Sequence, residues 1–229
     1  MAGRIKLSVQ DLGTACIHLT KATGPVQDDP HDPIAQRDVV DQSRNVCEKA
    51  SYVLAALQAG SRGTQACINA VSTVNGVIGD LDTTIMFATA GTLNPESDKD
   101  VFSAHRENIL KCAKSLVEDT KSLVLGAASD QEQLADAVQN AVTSILSLAE
   151  TVKQGAASLG SSNSQAQVLL LNAAKDVAAA LGDLIQATKS ASGKSGDDPA
   201  MVYLKDSAKV GSKLTFSVSG LIFLFSFRT

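Results

Sequence analysis

Residues 109–127 read Ile-Leu-Lys-Cys-Ala-Lys-Ser-Leu-Val-Glu-Asp-Thr-Lys-Ser-Leu-Val-Leu-Gly-Ala. Placed on a helix, Ile109, Cys112, Ala113, Leu116, Val117, Thr120, Leu123, Val124 and Ala127 alternate steps of three and one. At about 3.6 residues per turn they make one apolar stripe roughly five turns long. Lys111, Lys114, Ser115, Glu118, Lys121 and Ser122 fall off the stripe, with Glu118 and Lys121 spaced to pair. A helix of this kind must bury its stripe against the same chain, a partner, or each in turn.

The same spacing recurs outward in both directions. Downstream, Leu134, Ala137, Val138, Ala141, Val142, Ile145, Leu148, Ala149 and Val152 repeat it. Residues 170–188 (Leu170, Ala173, Ala174, Val177, Ala178, Leu181, Leu184, Ile185, Thr188) match 109–127 position for position. Upstream, helices are predicted over about 5–23, stopped by Gly24-Pro25, then 34–59, ended at Gly60, and 63–90, capped by Gly91. Residues 26–33 read as a Pro-rich loop and 94–98 as a polar connection leading into a helix over 100–128. Ser129 with Glu132, and Ser162 with Gln165, have the capping-box form. They predict helices to about Leu159 and Ala191, closed by Gly160 and Gly193. Asp197-Asp198-Pro199 opens one more. Seven helices with mostly short links and no strand signal indicate an all-α protein. The expected form is an antiparallel bundle of five helices followed by an incomplete second bundle.

Composition agrees. Apolar residues make up 44% of the 229, yet aromatics are 3% and tryptophan is absent. Ala, Val, Leu and Ile suit close helix packing better than sheet or ligand-stacking chemistry. A net charge of −4 and a pI near 5.3 provide no basic field for nucleic acid or anionic lipid, so protein partners are expected. Cys16, Cys47, Cys67 and Cys112 lack C-x-x-C spacing and sit among apolar helical residues, which reads as reduced, packed thiols in a cytosolic protein. The opening Met-Ala-Gly-Arg-Ile-Lys lacks the apolar stretch of a secretory signal, and no run approaches the roughly 20 apolar residues needed to span a bilayer.

Chemistry is hard to place, and no catalytic, cofactor or metal site and no small-molecule substrate is expected. His18, His31 and His105 form no Glu-x-x-His or His-x-x-x-His pair, and Asp28-x-x-His31 lies in the loop without further ligands. The glycines at 13 and at 76–79 precede no Gly-Lys-Ser/Thr. Glu118-Asp119 lies on the solvated face. Thr73, Thr83, Thr84, Thr89, Thr120 and Thr143 dot the stripes; a core-facing threonine costs stability unless its hydroxyl bonds back to the helix, which suggests a bundle held loosely. After Val210 the pattern shifts, with four of the six phenylalanines between Phe216 and Phe227 and a β-rich, uncharged look. The expected division is 1–160 as the five-helix bundle, 161–213 as two helices of the next, and 214–229 as a divergent Phe-rich tail.

Word-like stretches carry a resemblance. Tyr-Val-Leu-Ala-Ala-Leu-Gln-Ala-Gly (52–60), Arg-Gly-Thr-Gln-Ala-Cys-Ile (62–68), Asp-Leu-Asp-Thr-Thr-Ile-Met-Phe-Ala-Thr-Ala-Gly-Thr-Leu (80–93), Gly-Ala-Ala-Ser-Leu-Gly (155–160) and Ala-Leu-Gly-Asp-Leu-Ile (180–185) closely resemble the talin family, late in its rod. The likeness spans about 5–210. It implies a non-enzymatic cytoskeletal adaptor built of helical bundles, cytoplasmic and at cell-adhesion junctions, in the linkage from integrin to actin. In that family certain amphipathic rod helices bind the vinculin head once pulled out of their bundle, a form of mechanosensing. The resemblance therefore implies a vinculin-binding helix over 101–128 with Ile109, Cys112, Ala113, Leu116, Val117, Thr120, Leu123, Val124 and Ala127 as its contact face, Cys112 and Thr120 departing from the aliphatic pattern. A second integrin β-tail site is associated with this rod region, and contact with actin would be indirect. The competing reading is a passive helical spacer, or a truncated, unstable isoform without binding activity of its own.

Overall fold

A computed structural model describes residues 2–95 and 102–225. Among the described residues there are six α-helices, one short 3-10 turn and no strand. The helices are α1 (Ala2–Asp28), α2 (Pro33–Thr89), α3 (Phe102–Ala127), α4 (Gln131–Ser158), α5 (Ser164–Ala191) and α6 (Pro199–Phe225). The chain is therefore all-α. It divides into two compact units, Met1–Arg62 and Gly63–Thr229.

The second unit is a five-helix bundle, but not the five helices expected. It consists of the 63–89 part of α2 with α3, α4, α5 and α6, and one core runs through all of them: Val74 and Leu81, Ile109 and Leu116, Leu134 and Leu148, Leu170 and Leu184, and Leu204. The expected boundary at Gly160 falls inside this core. Gly160 does end a helix, with φ of 73°, yet α4 packs on α5 across it. Helices α3 and α4 run antiparallel, as Cys112 lies 3.9 Å from Thr151 and Asp119 accepts a hydrogen bond from Ser144. The α2 segment and α5 are antiparallel too: Lys175 donates to Asp82, and Gln167 Nε2 donates to the Leu93 carbonyl at 3.0 Å. Cutting at 160 would leave both sets of helices with exposed apolar faces. Gln167 is fully buried, and its Oε1 has no partner.

Small residues set the closest approaches. A Cβ on Gly155 would lie 2.9 Å from Ile109 Cδ1, and one on Gly63 would lie 2.8 Å from the Gln131 carbonyl oxygen. These glycines let α4 reach α3 and α2 reach the start of α4.

Several element ends differ from the sequence expectation. Gly24-Pro25 does not stop α1; proline removes one N–H but its carbonyl still accepts from Asp29 N at 3.0 Å, so the helix ends one turn later. The expected helices at 34–59 and 63–90 are one 57-residue helix, because Gly60-Ser-Arg-Gly63 weakens but does not forbid helical backbone. Asp130, not Ser129, caps α4, accepting from the Glu132 and Gln133 amides at 3.0 and 2.9 Å, while Ser129 Oγ donates to the Leu125 carbonyl. No side chain caps α5 at Asn163, and a 3-10 turn over Ser161–Asn163 stands where a capping box was expected.

The expected separate tail from 214 is instead a continuation of α6 to Phe225. Met201, Leu204, Ala208, Gly211 and Thr215 carry steps of three and four straight through the supposed change of character, and Met201, Leu204, Gly211 and Thr215 are buried. The expectation for residues 226–229 lies outside the described residues. The six threonine hydroxyls expected to weaken the bundle are all hydrogen-bonded. Thr73, Thr83, Thr84, Thr89, Thr120 and Thr143 each donate to the carbonyl four residues back, and of the six only Thr120 is buried.

Candidate partner-binding surfaces

The first unit holds α1 and residues 33–62 of α2. Two helices cannot enclose a core, and here the buried side chains are alanines: Ala15, Ala22 and Ala35. On α2, Val39, Val46, Ala50 and Val53 form a half-buried stripe continued by Leu57, which is 48% exposed. Beside it Leu54 is 60% exposed, and on the far side of the helix Ile34 is 78% exposed. On α1, Leu7 and Ile17 are also mostly in water. Exposed large apolar side chains beside a half-covered stripe are the pattern of a docking surface. Polar groups occupy the opposite side of α2. The Tyr52 hydroxyl donates to Glu48 at 2.9 Å, a hydrogen bond that, with the nearby carboxylate charge, raises the tyrosine pKa; Lys49 Nζ lies 5.4 Å from the ring.

The stripe on α3 is the opposite case. Ile109, Ala113, Leu116, Thr120, Leu123 and Ala127 are buried, and Cys112, Val117 and Val124 are half-buried. Eight of the nine residues expected on one face lie in the bundle core or against it, while half-buried Val117 stands at the edge and outside that core. Thr120 fits there because its hydroxyl donates to the Leu116 carbonyl at 2.8 Å. Sequence reasoning chose this helix and passed over residues 33–59. The signal was present in the Val39–Leu57 stripe and in the 52–60 words, but nothing local distinguishes a stripe enclosed by its own bundle from one only half covered.

Groups that could do chemistry are dispersed. His18 and His31 are exposed and His105 is on α3; no cluster of three metal-binding side chains occurs among the described residues. Glu118 pairs with Lys121 at 2.7 Å on the surface, and Asp119 is bonded to Ser144. The expectation of packed thiols holds fully for Cys67 alone. Burial pushes its pKa up to about 11, partly offset by the charge of Lys189. Cys16 and Cys47 are exposed because each follows the inward position of its helix, and Cys112 is half-buried. No described helix is long and apolar enough to cross a membrane.

Comparison with known proteins matches this division. Residues 63–212 match the family model for the talin 1-like rod segment domain, and residues 1–62 match the vinculin binding site model. The chain is 59% identical over 210 residues to talin-1 of Gallus gallus, covering 92% of this chain and 8% of that protein. It is 55% identical over 219 residues to talin of Oscarella pearsei (96% and 8%) and 58% over 207 residues to talin-2 of Mus musculus (90% and 9%). It thus spans less than a tenth of the length of these relatives. With the rod-segment match lying on the five-helix unit and these identities running through both units, the chain belongs to the talin rod segment domain family.

Proposed function

We propose that this chain is a non-enzymatic adaptor segment of talin-rod type that docks the vinculin head through its first unit. One observation carries the reading: the vinculin binding site match covers residues 1–62, the unit in which, among the described residues, no large apolar side chain is buried. The face bearing Val39, Val46, Ala50, Val53 and Leu57 would enter a hydrophobic groove, as amphipathic helices do. As part of a talin rod the segment would serve integrin-to-actin linkage in the cytoplasm at cell-adhesion junctions, with the integrin β tail as a further partner and actin reached indirectly.

The α3 stripe, Ile109 to Ala127, is proposed as a second vinculin site, concealed at rest. Its burial favours concealment: exposing Ile109, Leu116 and Leu123 at about 1.5–3 kcal/mol each, together with the smaller residues, costs on the order of 10 kcal/mol. That equals a typical domain stability, about 5–15 kcal/mol, so the site opens only with the bundle. The two sites then differ in threshold, one half covered and one enclosed. Titration of the intact chain with vinculin head should give one equivalent at rest, abolished by Val53→Asp with Leu57→Asp. Absence of binding, or binding untouched by that pair, would favour the passive-spacer reading.

A further inference from the structure

Helix α2 passes from the first unit into the second at Gly60-Ser61-Arg62-Gly63, and the bundle side of this crossing is already prepared as a helix start. In a continuous helix the Thr64 N–H belongs to the carbonyl of Gly60. Here it has a side-chain acceptor: it donates to Gln131 Oε1 at 3.0 Å, and Thr64 Oγ1 lies 3.4 Å from the same oxygen. A side-chain oxygen taking a first-turn backbone N–H is the function of an N-cap residue, supplied in this case from another helix. Gln131 is itself fixed, since its Nε2 donates to Ser192 Oγ at 2.9 Å and its backbone follows the Asp130 cap. Gly63 is seated against the bundle so closely that a Cβ would lie 2.8 Å from the Gln131 carbonyl oxygen and 2.9 Å from Leu134 Cβ. Every one of these contacts lies within the second unit and needs nothing before residue 63. On the other side, Gly60 is a poor helix residue, and with Gly63 three residues on it weakens this turn of α2, which lies where the two units meet in sequence.

We propose that α2 is built to part between Gly60 and Gly63, with Gln131 serving as a ready-made cap for the helix that begins at Gly63. Parting there leaves the bundle intact, and residues 33–59 become a helix that can be drawn away or remodelled without unfolding the five-helix bundle. The device does not depend on which partner takes residues 33–59.

The exposed Arg62 reports it. Brief trypsin treatment of the intact chain should cut after Arg62 before it cuts within any helix of the second unit, and amide exchange should be faster over 60–63 than over 67–81. The pair Gly60→Ala with Ser61→Ala, which stiffens the turn without touching the cap, should slow that cut about fivefold. Gln131→Met, which keeps length but removes the acceptor, should lose exchange protection at Thr64 to Ala66 while the helical circular dichroism is retained. Cleavage after Arg62 no faster than after Lys49, or unchanged by the Gly60 pair, would overturn the proposal. So would full protection at Thr64 in the Gln131→Met protein.

Discussion

Leu148 lies on α4, is fully buried in the bundle core, and belongs to neither proposed vinculin surface. Leu148→Ala removes its contacts with the core and leaves a cavity that packed neighbours only partly refill, a change that costs about 2–5 kcal/mol. Taking about 3 kcal/mol, the opened fraction of the bundle rises about 100-fold. A ligand that binds only the opened form gains apparent affinity in proportion to that fraction. Vinculin head should therefore bind the α3 site of Leu148→Ala about 100-fold more tightly than that of the parent chain, while affinity for the first unit stays unchanged. Titration calorimetry with Val53→Asp and Leu57→Asp in the background isolates the α3 event, and urea unfolding of the same protein supplies the stability loss independently. A measured loss near 3 kcal/mol with no gain in binding would refute the claim that burial alone holds the α3 site closed.

Further outcomes are expected. Cys67 should resist iodoacetamide at pH 8.5 while Cys16 and Cys47 react. Because its thiol pKa is raised to about 11 by folding, the folded state holds a proton that the unfolded state gives up near pH 9, and stability should fall as pH rises from about 9 to about 11. Gly63→Ala should destabilise by about 1–3 kcal/mol, since its Cβ meets backbone at 2.8 Å, whereas Gly76→Ala, with nothing within 4 Å, should stabilise by about 0.5–1 kcal/mol; thermal unfolding reads both signs. Asp130→Ala should cost about 0.5–2 kcal/mol in the same assay through loss of the α4 cap.

The stripes on α3, α4 and α5 were legible because a three-and-one apolar period has one helical solution, and each stripe does face the core. Glycines marked three true helix ends, Gly91, Gly160 and Gly193, where φ is 70°, 73° and 75°. Grouping the helices was not legible. Gly60 and Gly160 look alike as punctuation, yet one lies within a continuous helix and the other between two helices of one bundle. Which helices share a core depends on contacts such as Lys175 with Asp82, 93 residues apart. The resemblance words did not help, since 52–60 and 62–68 lie on either side of the division and read as one passage. For the same reason the α3 stripe stood out over the Val39–Leu57 stripe: period identifies a face, and only packing tells which face is already occupied.

Amide hydrogen exchange on the intact chain, with and without vinculin head, tests the central claim most directly. The account requires new protection over 33–59 and no change over 109–127 under native conditions. Protection over 109–127 with 33–59 untouched would contradict it.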